Sequence, residues 1–503
     1  MNSTPLSVTS RLSTGIEGLD HVLNGGLPRG RVYLLEGTPG TGKTTLALQF
    51  LLEGARHSEP GLYFALSESR PELQAVAQSH GWSLDALQLR EVIPMTEASK
   101  LEEPYTIFHP SEVELGETIK TIYQEVETLK PVRVVIDSLA EMRLLAQEPL
   151  VYRRQILALK QFFVGRNCTV LLLDDRHPSV ADQHFHSLVH GIILLDQTTP
   201  LYGAKRRQLE VVKLRGVKFM DGLHDYTIQT GGLIVYPRLV SSEHHTPFER
   251  GTFSSGLPEL DSLLGGGLER GTSTLLMGSS GVGKSTLAAQ YVLAAAERGD
   301  HAAVYLFDEG IDNFLARTVG LGMDLRGHVE AGRICLHQVN PAQLSPGEFA
   351  QQVRGGVEKE KSTVLVIDSL NGYLNAVPSE RLLLVQLHEL LSYLNQRGTI
   401  CLLVMAQHGL VGTQIETPVD VSYLADTVLL LRYFEAMGEV RKAISVVKKR
   451  TGRHELTIRE FRLGSKGIRL GKPLQEFQGV LTGTPTYAGK AGPLLGETNG
   501  HGT

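Results

Sequence analysis

The sequence predicts an α/β fold built twice over: two tandem domains, each a mainly parallel sheet flanked by helices. Short β-rich runs such as RVYLL, GLYFAL, VRVVID and TVLLLD alternate with helical stretches such as TTLALQFLLEGARH, and strands that alternate with helices pair as a parallel sheet covered on its faces. The chain also repeats itself. Residues 12–51 (LSTGIEGLDHVLNGGLPRGRVYLLEGTPGTGKTTLALQFL) recur as residues 253–291 (FSSGLPELDSLLGGGLERGTSTLLMGSSGVGKSTLAAQY). Downstream, PVRVVIDSL (131–139) recurs as STVLVIDSL (362–370), and LEVVKLRG (209–216) as ISVVKKRT (444–451). Matching elements in one order mark a duplicated unit.

The polar, poorly periodic interval SSEHHTPFERG (241–251) is the expected linker. This gives a first domain over 1–240, a second over 250–482, and a flexible tail over 483–503 rich in Gly, Pro and Thr. With 503 residues, each half is long enough to bury its own core. A net charge of -5 gives no global basic field to attract nucleic acid. Three cysteines, Cys168, Cys335 and Cys401, are too few and too scattered for a disulfide framework or a Cys-based zinc site, and read as small buried apolar residues. The histidines of RHPSVADQHFHSLVHG lack the spacing of a metal triad. No apolar leader and no membrane-length apolar run occurs, so the cytoplasm is the expected compartment.

Two stretches fit G-x-x-x-x-G-K-[ST] throughout. The first is Gly37, Thr38, Pro39, Gly40, Thr41, Gly42, Lys43 and Thr44, followed by Thr45. The second is Gly278, Ser279, Ser280, Gly281, Val282, Gly283, Lys284 and Ser285, followed by Thr286. The glycines let the backbone turn its N–H groups toward an anion, and the next helix adds its positive end. Lys43 and Lys284 are then expected on the β- and γ-phosphates of ATP, with Thr44 and Ser285 as Mg²⁺ ligands. Asp137 and Asp368 each end an apolar run, where a carboxylate holds Mg²⁺ through water. An Asp in that place can also be a simple turn or helix cap.

Hydrolysis further needs a carboxylate to orient or deprotonate the attacking group. GLYFALSES offers Ser67-Glu68 after its strand, and AAVYLFDEG offers Asp308-Glu309. Alignment without gaps on Gly81-Trp82 and Gly322-Met323 pairs Ser67 with Asp308 and Glu68 with Glu309. Glu68 and Glu309 are the expected general bases, and Asp308 is a second candidate. A solvated residue after a strand would look the same.

At this point the opening STGIEGLDHVLNGGLPRGRVYLLEGTPGTGKTTLALQFL, with its second copy, resembles the KaiC family of circadian-clock ATPases almost to residue 485. The resemblance implies two RecA-like P-loop NTPase domains in a homohexameric ring with ATP at the subunit interfaces. It also implies that a K-x-R-x-x-x-H motif reaches a neighbouring subunit's nucleotide. Here that motif reads Lys213, Arg215 and Phe219 in the first copy, and Lys448, Arg450 and His454 in the second. Phe219 departs from the family's His. Residues at i and i+2 of a strand share a face, so each pair can point together, though a solvated basic edge strand would also fit. The resemblance further implies serine/threonine autophosphorylation in the second domain. Its acceptor pair falls on Ser422 and Tyr423, where Tyr replaces the family's Thr, and a third threonine of that region falls on Thr417. A signalling protein partner is implied as well, although the tail diverges where such a partner would bind. The competing class is a RecA- or helicase-type DNA motor, since the same core serves both. Against it stand the acidic balance and the lack of a basic, aromatic-rich segment. A nucleotide-gated scaffold with little turnover is a third reading, because Ser67 and Phe219 weaken the first site.

Overall fold

The computed structural model describes residues 10–92, 110–176, 186–200, 203–374, 380–407, 421–436, 438–481 and 486–487. Thr417 and nearly all of the 483–503 tail lie outside them. The chain divides between Arg238 and Leu239 into two compact units.

In the first unit, β1 (Val32–Gly37) leads into α1 (Lys43–Arg56), then β2 (Gly61–Ala65), α2 (Arg70–Ser79) and β3 (Gln88–Glu91). After α3 (Pro110–Leu129) come β4 (Arg133–Asp137), α4 (Leu139–Ala146), α5 (Pro149–Val164) and β5 (Thr169–Asp175). The unit closes with β6 (Gly191–Thr198), β7 (Arg206–Leu214), β8 (Leu223–Gln229) and β9 (Gly232–Tyr236). These strands form one nine-stranded sheet in the order β9-β8-β7-β6-β1-β5-β4-β2-β3. Pairing is parallel from β6 through β3 and antiparallel from β6 through β9. The run of connecting helices explains the parallel part, since such crossovers require them.

The second unit repeats this plan. It comprises β10 (Ser273–Gly278), α6 (Lys284–Glu297), β11 (His301–Leu306), α7 (Ile311–Gly320), β12 (Ile334–Gln338), β13 (Ser362–Asp368) and β14 (Ile400–Ala406). Then follow β15 (Thr427–Ala436), β16 (Glu439–Lys449), β17 (Arg459–Gly464) and β18 (Gly467–Pro473). The order β18-β17-β16-β15-β10-β14-β13-β11-β12 is the first sheet's order with each number raised by nine. Leu239 packs into this unit's core, and the 241–251 interval is held to it by a Glu389 carboxylate on the Ser241 N–H at 3.0 Å and by Arg397 on the Thr246 hydroxyl at 2.6 Å.

Why continuous apolar runs make these strands follows from burial on both faces. In β1, Tyr33 and Leu35 join the cluster under α1 with Phe50 and Leu51, while Val32 and Leu34 join the opposite cluster with Leu139, Ile156 and Phe163. The period of two sends alternate side chains to opposite cores. A buried arginine ties this unit's frame together. Arg133 is 1% exposed, pairs with Glu59 at 2.7 Å, and donates to the Ser13 and Phe50 carbonyls at 2.7 Å each. Among the described residues, no helix is long and apolar enough to cross a membrane.

Two candidate nucleotide sites

Each glycine-rich loop leaves the sheet's central strand and enters a helix. Gly42 and Gly283 cap α1 and α6 in the left-handed conformation, with φ of 93° and 115°. A side chain at either place is strained by the positive φ, and its Cβ would also crowd a neighbour, 2.6 Å from Ile228 Cδ1 at Gly42 and 2.8 Å from Leu463 Cδ1 at Gly283. A glycine-rich loop running into a helix N-terminus in this way is suited to phosphate.

Neighbouring strand ends supply the polar side chains. The Thr44 hydroxyl donates to Asp137 at 3.0 Å across β4, and the buried Tyr63 hydroxyl donates to the same carboxylate at 2.5 Å. Burial raises the Asp137 carboxyl above its ordinary value, against the hydrogen bonds from Tyr63 and Thr44. Asp368 is raised by burial too, and Ser285 hydrogen-bonds it in the matching place. A hydroxyl and a carboxylate converging at the loop form a hard-oxygen donor set that fits Mg²⁺. Asp137 and Asp368 are each joined to the following serine by a cis peptide bond.

The two sites differ in their lysines and bases. The Lys43 ammonium donates to the Gly37 carbonyl at 2.8 Å, the Thr38 carbonyl at 3.4 Å and the Asp175 carboxylate at 2.8 Å. Lys284 is 6% exposed and donates to the Ser279 carbonyl at 2.8 Å; burial pulls its pKa down to about 8. Beyond β2, the Ser69–Glu72 capping box fixes the start of α2 and leaves Glu68 at the strand's mouth. Its carboxyl is pushed up to about 7 by burial first, then by Asp137 and Glu72, and its Oε2 is buried without a hydrogen-bond partner among the described residues. In the second unit, Glu309 is gripped by Arg317, whereas Asp308 accepts a short hydrogen bond from the Ser369 hydroxyl. The sequence reading ranked Glu309 ahead of Asp308. It missed Arg317, whose register counterpart in the first unit is Val76.

The K-x-R motifs lie at the ends of strands that are interior in the sheet order, and at Lys213 and Lys448 the ladder pairs on one side. Lys213 donates to the carbonyls of His186 and Val189 at 2.6 and 2.9 Å, and Arg215 to that of Ser187 at 2.7 Å. Lys448 donates to Ser422 and Ala425, both at 2.8 Å, and Arg450 to Tyr423 at 2.5 Å. Lys213 pairs across the ladder with Ile192 and Lys448 with Val428, so the clasped turns are equivalent. His186 and Ser187 therefore stand where Ser422 and Tyr423 stand. The Tyr423 side chain is 53% exposed. Further on, Phe219 packs against the first core, and the Met220 N–H donates to the Val22 carbonyl at 2.8 Å. At the matching place, the residue after His454, Glu455, donates its N–H to the Leu263 carbonyl at 3.0 Å.

Comparison with known proteins agrees with this geometry. The KaiC ATPase family model matches residues 12–240 and again 253–475. The chain is 28% identical over 482 residues to the circadian clock oscillator protein KaiC of Acaryochloris marina, covering 95% of this chain and 91% of that protein. It is 26% identical over 485 residues to the circadian clock protein KaiC3 of Synechocystis, covering 96% and 95%. Two matches of one family, each spanning one sheet and its loop, place the chain in the KaiC family of ATPases.

Proposed function

We propose that both loops bind Mg-ATP, that the first site hydrolyses it, and that the second also transfers phosphate to Ser422 within a closed homohexameric ring. Binding rests on the paired loops, with Lys43 and Lys284 for the β- and γ-phosphates. Thr44 with Asp137, and Ser285 with Asp368, would hold Mg²⁺, which neutralises phosphate charge when bound. In the first site, Glu68 takes a proton from the attacking water; its raised pKa suits a base working near neutral pH. In the second, we assign the base to Asp308, held by one hydroxyl, ahead of Glu309, whose two oxygens are both held by Arg317.

The observation behind the kinase reading is the clasp. Lys448 and Arg450 hold the backbone of the turn that contains Ser422, so the acceptor hydroxyl and the cationic strand travel together to whatever nucleotide they meet. In a head-to-tail ring that nucleotide belongs to the next subunit. The Ser422 oxygen would attack the γ-phosphorus as the bond to the β,γ-bridging oxygen breaks; ADP leaves, and the serine proton passes to the carboxylate.

Incubation with γ-labelled ATP and Mg²⁺, followed by mapping of the labelled residue, tests this. Label on Ser422 that is lost in Lys284→Ala and in Asp308→Asn supports the reading. Absence of label from Ser422, or label indifferent to both substitutions, removes it. Nucleotide-dependent growth to a hexamer, measured by light scattering, tests the ring.

A further inference from the structure

The two lysines of the loops sit in different electrostatic settings, and register shows why. The tip of β5, between the loop strand and the strand of Asp137, carries Asp174-Asp175; the tip of β14 carries Met405-Ala406. Around that tip the first unit has two anion–cation pairs, Asp174 with Arg143 and Asp175 with Lys43 at 2.8 Å, and a hydrogen bond between Glu36 and His186 at 2.8 Å. The positions matching Glu36, Arg143 and His186 in the second unit are Met277, Leu374 and Ser422. Among the described residues, Lys284 makes no ion pair.

We propose that Asp175 is a positioning residue of the first site that competes with the nucleotide for Lys43. The proposal rests on the reading of Lys43 as a phosphate ligand. An ammonium has three hydrogens to donate, and those of Lys43 go to Gly37, Thr38 and Asp175. A triphosphate that takes this ammonium must break the ion pair and then tolerate a carboxylate beside its own charge. The Asp175 N–H donates to the Asp174 carboxylate at 2.9 Å, which fixes the backbone bearing the competitor. The first site is thereby set to bind ATP more weakly than the second, and more so at low salt, where the carboxylate is least screened.

The experiment isolates each site in the full-length chain. In a Lys284→Ala background, binding of a fluorescent ATP analogue reports the first site. Asp175→Asn is expected to tighten it about three- to tenfold, the range a partly exposed ion pair and one unfavourable charge contact supply, and to flatten its salt dependence. In a Lys43→Ala background, which reports the second site, Ala406→Asp is expected to weaken binding by a similar factor. Unchanged or weaker binding in Asp175→Asn, or no effect of Ala406→Asp, overturns the proposal; a carboxylate that merely supported the loop would lose affinity when removed. If Lys43→Ala leaves first-site binding intact, the reading of Lys43 as a phosphate ligand fails instead.

Discussion

Arg317 holds Glu309 in a fork, Nε to Oε1 at 3.2 Å and Nη2 to Oε2 at 2.8 Å, and reaches the Thr286 hydroxyl at 3.3 Å. Among the described residues its counterpart Glu68 makes no ion pair with an arginine, and Val76 occupies the place of Arg317 and packs on the core. Homologous carboxylates thus have different partners: a guanidinium fork at Glu309, and burial beside Asp137 at Glu68.

For the second site, this ranks the carboxylates. Asp308→Asn should lower second-site turnover and Ser422 labelling by about 10²–10⁴, the scale of a lost general base. Glu309→Gln should cost less than tenfold, comparable to Arg317→Met, since both break one fork. Single-turnover rates in a Lys43→Ala background check the ranking, and equal losses in the two carboxylate variants would reverse it.

For the first site, the raised Glu68 pKa gives a pH signature. A base must be ionised, so kcat/KM in a Lys284→Ala background should rise with pH about a midpoint near 7. Glu68→Gln should abolish the rise. Stability should run the other way. The folded chain binds this proton more tightly than the unfolded chain, so the contribution is complete below the ordinary glutamate value and is lost as pH climbs to about 7. Thermal unfolding of Glu68→Gln should therefore show a gain over the parent at pH 8 and none at pH 4.

The K-x-R clasp should matter to the turn even in a single subunit. Lys448→Met leaves the Ser422 and Ala425 carbonyls without their charged donor, an expected loss of about 1–3 kcal/mol. Hydrogen exchange of the amides around residues 422–426 should accelerate in the monomer. Protection equal to the parent's would assign the lysine to the neighbouring nucleotide alone.

Arg133 and Glu59 should behave as a buried pair. Glu59→Ala strands the guanidinium and should cost about 3–5 kcal/mol in denaturant unfolding of the first unit. Burial opposes ionisation of Glu59, but the bonds from Arg133 and Arg29 outweigh it and hold the carboxyl below its usual range. That contribution is present above the ordinary glutamate pKa and is lost as pH falls through the lowered one. Acid sensitivity below about pH 4.5 should shrink when both residues are replaced by apolar ones.

The sequence announced what depends on local spacing: both loops, the strand-end Asp137 and Asp368, and the strands bearing Lys213 and Lys448. A glycine at a helix cap or a Lys and Arg two apart on a strand declares itself within eight residues. The Lys43–Asp175 and Glu309–Arg317 pairs were not legible, for different reasons. Asp175 meets Lys43 because β5 inserts beside β1, a matter of strand order across 132 residues. Arg317 lies only eight residues from Glu309, but nothing in the pattern says which way a helix turns its arginine. The internal repeat did hold the clue. Asp175 against Ala406 and Arg317 against Val76 are differences at equivalent positions, visible once the register is known.

The clasp on the turn before β6 and β15 takes His186, Ser187, Ser422 and Tyr423 by their carbonyl oxygens, and Arg450 also pairs with the Asp426 carboxylate at 3.3 Å. Such a grip is indifferent to the side chains it displays. After duplication, one copy of the turn could present histidine and serine and the other serine and tyrosine, with no loosening of the scaffold beneath. The turn works as a mount with an interchangeable head, and that separation of support from display lets two copies of one unit carry different side chains in a single chain.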